Sequence, residues 1–192
     1  MLNKKFLILI LIIPFLLNKP VTAQENFEIP ENKIESKVID QRAQILQAYL
    51  SKYNSPLQYQ SQDFVDAADK YNLDWRLVAA ISGVESTFGK HIPGGYNAWG
   101  WGVYGTQAIY FKSWTEGIFT VSEGLRKNYL NKGLTNPYDI NRIYAASPTW
   151  GSHVSFFLAD MEKFEDEYGK NQAQIISANF LTQTAGASAI LN

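Results

Sequence analysis

At 192 residues the chain is long enough for one domain with a real core and short for two. A hydrophobic fraction of 46% fits a globular protein, and the absence of cysteine excludes disulfides, a thiol nucleophile and a lipid-modified cysteine. With 17 basic and 18 acidic side chains the charge is close to balance, which argues against a nucleic-acid partner.

The N-terminus reads as an export signal. Lys4 and Lys5 precede an unbroken apolar run from Phe6 to Leu17, and Val21-Thr22-Ala23 supplies small residues for cleavage before Gln24. The alternative is an uncleaved anchor, but the run of 12 residues falls short of the roughly 20 needed to span a bilayer. Residues 1–23 are therefore set apart from the fold, with no stable membrane insertion expected after cleavage. Cleavage removes three lysines and no acid, leaving 14 basic and 18 acidic side chains, a net charge of −4. Most of the excess acid precedes residue 75. Residues 86–159 carry six Lys/Arg and three Asp/Glu, a weak positive bias that suits an anionic polymer better than a nucleic acid.

Residues 24–35 are polar and acidic, contain Pro30, and read as a tether. A helix is expected from about Ile34, with Ile39, Ala43, Leu46 and Leu50 as its apolar stripe and Ser55-Pro56 as its end. Ser61 is a candidate N-cap for a helix over 62–71, and Asp74 for the next, with Leu73 and Val78 placed for a hydrophobic staple. That third helix, 75–88, places Leu77, Ile81, Val84 and Phe88 on one face and stops at Gly89. Residues 92–112 lack a helical period, and their Gly and Pro predict turns and short strands in a small lobe. Ser113-x-x-Glu116 is a capping box that opens a helix to about Asn131. Pro137 and Asp139 start a short helical turn. Ser147-Pro148 then fits N-cap and N1 of a last helix ending near Tyr168. The domain thus spans 36–168, followed by an uncharged tail, 169–192, with no clear structural signal. The fold class is mainly α (α+β): a helical domain with one small irregular or β lobe.

Glu85 is the candidate catalytic residue. On a wheel at about 100° per residue it falls between Ile81 and Val78, inside the apolar stripe. It also sits at the helix C-terminus, where the helix dipole disfavours negative charge. Both effects raise a carboxyl pKa, and glycoside cleavage needs such a protonated acid at the leaving oxygen. The plain alternative is an ordinary exposed helical glutamate. The sequence after Glu85 favours the chemical reading. Tyr96, Trp99, Trp101, Tyr104, Tyr110, Phe111 and Trp114 fall within 19 residues, separated in part by glycines. Aromatic faces stack on sugar rings, and glycines admit a polymer strand. Some of these rings must form the core of the lobe. Alternation along an extended segment puts Trp99 and Trp101 on one face and makes them the candidates to meet ligand, with Tyr96 and Tyr104 beside them.

Four segments in order carry a family resemblance. Val84-Glu85-Ser86-Thr87-Phe88-Gly89 resembles the catalytic-glutamate motif of the lysozyme-like superfamily. Tyr96-Asn97-Ala98-Trp99-Gly100-Trp101, and then Tyr110-Phe111-Lys112-Ser113-Trp114, resemble successive segments of the bacterial peptidoglycan glucosaminidase family. Ile143-Tyr144-Ala145-Ala146-Ser147-Pro148-Thr149-Trp150 resembles that family's Tyr-Ala-Thr-Asp-Pro motif. The resemblance covers roughly residues 58–165. It implies a lysozyme-like fold, peptidoglycan glycan strands as partner, cleavage at N-acetylglucosaminyl bonds and an exported or envelope location. It also implies Glu85 as general acid, Tyr144 near the substrate acetamido group, and Asn97 holding either the lobe or the substrate. Two departures matter. Ala146-Ser147 stand where the motif has Thr-Asp, and no Asp or Glu occurs from Ser86 to Thr115. With no second carboxylate nearby, the acetamido oxygen of the substrate is the candidate partner of Glu85, and a lytic transglycosylase outcome stays open.

Other chemistries fit less well. His91 and His153 are the only histidines, without HExxH or paired spacing, so no metal is expected; His91 reads as a surface or structural residue near the cleft. There is no nucleophile elbow and no phosphate-binding glycine loop, and no cofactor is expected. The rival from another class is a wall-binding module that keeps the fold without catalysis. The sequence does not fix the oligomeric state.

Overall fold

The structure, a computed structural model, describes residues 40–103 and 109–190. The segments expected to be an export signal and a tether, the expected helix start at Ile34 and Ile39, and Tyr104 lie outside the described residues. The described chain forms α1 (Gln41–Lys52), α2 (Ser61–Tyr71), α3 (Leu77–Ser86), α4 (Trp114–Asn128), α5 (Pro137–Tyr144) and α6 (Trp150–Ile190), with 3₁₀ turns at Pro56–Gln60 and Leu130–Lys132. No strand occurs among the described residues, so the lobe is irregular and the fold is mainly α. No helix among them is long and apolar enough to cross a membrane.

The caps explain where several expected boundaries move. Asp40 caps α1 by accepting from the Arg42 N–H at 2.8 Å, and Ala43, Leu46 and Leu50 are buried as the stripe requires. Ser61, expected to cap α2, lies inside it. The 3₁₀ turn feeds straight into the helix, and Ser61 Oγ donates back to the Gln58 carbonyl at 2.8 Å. The cap has moved to Ser55, whose Oγ accepts from the Leu57 N–H at 3.0 Å at the start of that turn. Asp74 accepts from the Arg76 N–H at 2.9 Å but caps a turn, and α3 begins only at Leu77. For α4, Ser113 accepts from the Glu116 N–H at 3.1 Å. Glu116 returns to the Lys112 N–H at 2.6 Å, one residue before its place in a capping box. α4 ends at Asn128 because the chain tightens into 3₁₀ geometry at Leu130. Asn136 caps α5 through the Tyr138 and Asp139 N–H groups, both at 3.0 Å.

α3 is the centre of the domain. Eight of its ten residues are buried, including Leu77, Val78, Ala80 and Ile81, because α6 and α4 pack against it. It ends at Ser86, two residues earlier than expected. Thr87 (φ 52°), Phe88 (φ 58°) and Gly89 (φ 81°) are successively left-handed, so the turn begins before the glycine. Two groups hold this costly conformation. The Phe88 ring is fully buried and packs edge-on to Phe157 at 5.0 Å. Buried Ser55 donates from Oγ to the Phe88 carbonyl at 2.7 Å.

α6 starts at Trp150, two residues after Pro148, since Pro148 and Thr149 form a turn closed by the Trp150 N–H donating to the Ser147 carbonyl at 3.3 Å. Trp150, Val154 and Met161 are buried, with Phe157 and Phe164 packed alongside, a stripe of helical period facing the core. The helix does not stop near Tyr168. It continues to Ile190, about 60 Å in all, at the usual rise per residue. Residues 171–180 are exposed throughout.

Ser55 satisfies both the Leu57 N–H and the Phe88 C=O in a buried position. Ser55→Ala is therefore expected to lower unfolding stability by about 1–3 kcal/mol in urea titration, with an unchanged m-value.

Candidate active site

Glu85 occupies the place where α3 reaches the surface. Helical periodicity puts it on a buried stripe, but the residue as a whole emerges at the surface, and only its carboxyl end is partly buried against neighbours. The wheel misleads because α3 is buried nearly all round and has no single buried face. What distinguishes Glu85 is its position at the emerging end. The Trp150 indole Nε1–H donates to Glu85 Oε1 at 2.7 Å. On the other side, the Gly100 backbone (φ 59°) comes so close that a Cβ there would lie 3.0 Å from Glu85 Oε2. Burial of the carboxyl by these neighbours pushes its pKa above the ordinary glutamate value, and the Trp150 hydrogen bond partly opposes the shift. Among the described residues, no second carboxylate contributes to the shift.

Ser86 ties this helix end to the lobe. Its Oγ donates to the Ala98 carbonyl at 2.8 Å and accepts from the Gly89 N–H at 2.8 Å. The lobe is organised by Asn97, which is 4% exposed. Its Nδ2 donates to the carbonyls of Trp101 and Ile109, both at 2.9 Å, and its Oδ1 accepts from the N–H groups of Trp99 (3.3 Å) and Trp101 (3.1 Å). Of the two roles left open for Asn97, this arrangement matches holding the lobe.

The two tryptophans part company. Trp99 is 0% exposed, and its Nε1–H donates to the Val78 carbonyl at 2.9 Å. It packs among Phe64, Phe111 and Trp114, so it belongs to the core and presents no face to a ligand. The alternation that paired it with Trp101 assumes extended backbone, whereas this segment is a run of turns. Trp101 is partly exposed and lies 5.8 Å from the Tyr144 ring. Both indoles are seated on α4 by glycines one heptad apart. A Cβ at Gly117 would meet Trp99 at 2.5 Å, and one at Gly124 would meet Trp101 at 2.2 Å. Tyr96, expected near ligand, is 43% exposed and packs edge-on to Trp114 at 5.1 Å.

Tyr144, at the end of α5, is half-buried and stacks on Trp150 with centroids 4.6 Å apart and planes 24° apart. Its hydroxyl donates to the Trp99 carbonyl at 2.8 Å. Burial, together with the charge of Glu85, raises its pKa well above the tyrosine norm, so it stays a phenol. Gly100, Trp101, Gly102, Val103, Ile109, Asn128, Tyr129, Ile143 and Tyr144 line a cleft of about 320 Å³. Glu85 is not among the lining residues, but Gly100, which lines this cleft, also abuts the Glu85 carboxyl. Both histidines are exposed, and no group of three or more His, Asp or Glu suited to a metal occurs among the described residues.

This fold has a counterpart among solved structures. It is similar to that of S. aureus autolysin E, solved as a catalytic mutant in complex with the disaccharide NAG-NAM. The TM-score is 0.54 at 17% identity, over 66% of this chain and 68% of that one. The sequence matches no family model and no curated protein.

Sequence reasoning missed Trp150 and Gly100 as neighbours of Glu85, though both stood inside the quoted motifs. A signal for Trp150 was present: an indole N–H is donor only, and a tryptophan opening a helix next to a proline turn needs an acceptor once buried.

The raised pKa of Glu85 carries a stability signature. A carboxyl raised above its unfolded value contributes fully below the unfolded pKa and loses that contribution as pH rises through the folded pKa. Glu85→Gln is therefore expected to raise Tm relative to the parent at pH 7–8, with the difference shrinking toward pH 4, as read by calorimetry across that range.

Proposed function

We propose that this chain is an exported glycosidase that cleaves β-1,4 bonds of the peptidoglycan strand, as an endo-β-N-acetylglucosaminidase with Glu85 as general acid. One observation carries this reading: a carboxyl whose pKa is pushed up lies against Gly100, which also lines a cleft walled by Trp101 and Tyr144. The same fold, in S. aureus autolysin E, was solved with NAG-NAM. Residues 1–23 have the pattern of an export signal, which puts the enzyme where that polymer is.

The chemistry follows from the neighbours of Glu85. A protonated Glu85 gives its proton to the glycosidic oxygen as the C1–O bond breaks. Two-carboxylate hydrolysis requires a base or nucleophile on the opposite face, and among the described residues no second carboxylate perturbs Glu85, which favours substrate assistance. In that route the 2-acetamido oxygen attacks C1 and forms an oxazolinium ion. Glu85, now a carboxylate, takes a proton from the water that opens the ring and is restored. The Tyr144 hydroxyl has already used its proton on the Trp99 carbonyl, so its oxygen is left to accept. It suits the acetamido N–H, which grows more acidic as positive charge develops. Trp101, the more exposed of the two lobe tryptophans, supplies a face for a sugar ring.

The lack of a nearby base also supports a second reading on the same polymer, in which an internal hydroxyl captures the intermediate, as in a lytic transglycosylase. The decisive assay is clearing of cell walls in a gel by the native protein and by Glu85→Gln, followed by mass spectrometry of the products. Clearing is expected from the native protein, with at least a 100-fold loss in the variant and reducing N-acetylglucosamine ends. Anhydro-muramic ends assign the transglycosylase outcome, and reducing muramic ends assign a muramidase. Wall binding without clearing by the native protein assigns a non-catalytic module.

A further inference from the structure

Glu85 has two carboxyl oxygens in different surroundings, and this difference selects which of them holds the proton. Oε1 receives the Trp150 Nε1–H at 2.7 Å, while Oε2 faces the Gly100 backbone on the lobe side. An indole nitrogen can donate but cannot accept. Oε1 therefore acts as acceptor in both ionisation states, and because the carbonyl oxygen of a neutral carboxyl accepts better than its hydroxyl oxygen, the contact favours the proton on Oε2.

Trp150 is itself firmly held. It is 3% exposed, opens α6, and stacks on Tyr144, whose hydroxyl is anchored on the Trp99 carbonyl. The chain of contacts runs from the lobe core through Tyr144 and Trp150 to Glu85. On the lobe side, the missing Cβ of Gly100 leaves the room that Oε2 occupies.

We propose that Trp150 is a positioning residue for the acid: its indole N–H pins Glu85 Oε1 and leaves Oε2, beside Gly100, as the oxygen that carries and delivers the proton. This rests on Glu85 being the general acid. It goes beyond that reading in assigning the proton to one oxygen and the selection to one donor. Gly100, which Oε2 faces, also lines the cleft walled by Trp101 and Tyr144. The titratable group on a packed element that feels the charge of Glu85 is the Tyr144 phenol on α5, which burial above all holds well above its ordinary pKa, so it stays protonated where Glu85 titrates.

The test has an arm independent of activity. In ¹⁵N-labelled full-length protein the Trp150 indole resonance is assigned by its loss in Trp150→Phe and followed with pH in the parent and in Glu85→Gln. The expected result is an indole proton shift that follows the Glu85 ¹³C carboxyl titration in the parent and is flat in Glu85→Gln. An indole shift that does not follow Glu85 overturns the proposal, whether or not the protein cuts walls. In the second arm, Trp150→Phe removes a donor that favours the charged carboxylate. Its Glu85 titration, and the alkaline limb of wall cleavage with it, should move to higher pH, with kcat down about 10-fold or more and KM changed much less. A loss of kcat with an unmoved limb means a packing role only and overturns it as well. If Trp150→Phe fails to fold, the comparison of the parent with Glu85→Gln still decides. If the native protein cuts no wall while the indole follows Glu85, the general-acid reading fails and the contact alone survives.

Discussion

The domain is organised around one buried side chain, Trp99. Its indole lies at the meeting point of α2, α4 and the lobe, packed on Phe64, Phe111 and Trp114, and its N–H is spent on the Val78 carbonyl of α3. Its own carbonyl accepts from Tyr144 on α5. A fully buried indole without an acceptor costs at least 1–3 kcal/mol, so the lobe is held in a register that gives it one. Once Trp99 is in place, Gly100 must follow against Glu85 and Trp101 must turn out toward Gly124 and Tyr144. The irregular lobe therefore needs no strand ladder. It is folded by one indole inside and by Asn97 joining four backbone groups around it.

That arrangement sets the electrostatics of Glu85. Crowding on both sides of the carboxyl disfavours the charged form, and the single Trp150 hydrogen bond favours it. Burial wins, because one donor replaces only part of the water a carboxylate loses. The carboxyl also lies next to the last residue of α3, where the unpaired helix carbonyls add to the bias against negative charge. Among the described residues, no basic side chain and no second acid contributes to its titration. A lone acid of this kind donates a proton well but cannot by itself supply the attacking group. The same geometry thus supports proton delivery by the protein and nucleophilic help from the substrate.

Much of this was legible in the sequence. The order of helices, the mainly helical class, the capping serine of α4 and the prominence of Glu85 all follow from periodicity, caps and composition. Other features were not legible, for identifiable reasons. The amphipathic wheel fails for α3 because a helix covered on every side has no stripe, so Glu85 is notable for emerging, not for hiding. Parity along 96–101 fails because the segment is a run of turns with positive φ at Tyr96 and Gly100, which sends Trp99 inward and Trp101 outward. The extension of α6 past Tyr168 leaves no periodic signal because residues 171–180 meet no core and their apolar members, Ile175, Ile176 and Phe180, stay exposed. The Trp150–Glu85 bond joins residues 65 apart in sequence, and no local pattern encodes a pairing at that distance.

The central claim is that Glu85 works as a protonated acid whose pKa is set by this pocket. The most direct measurement is the ¹³C titration of the Glu85 carboxyl set beside the pH dependence of wall cleavage in the same buffer. The account predicts a Glu85 midpoint above the ordinary glutamate range, with cleavage falling on the alkaline side at that same midpoint. A Glu85 that titrates in the ordinary range, with cleavage undiminished well above its midpoint, would contradict the claim.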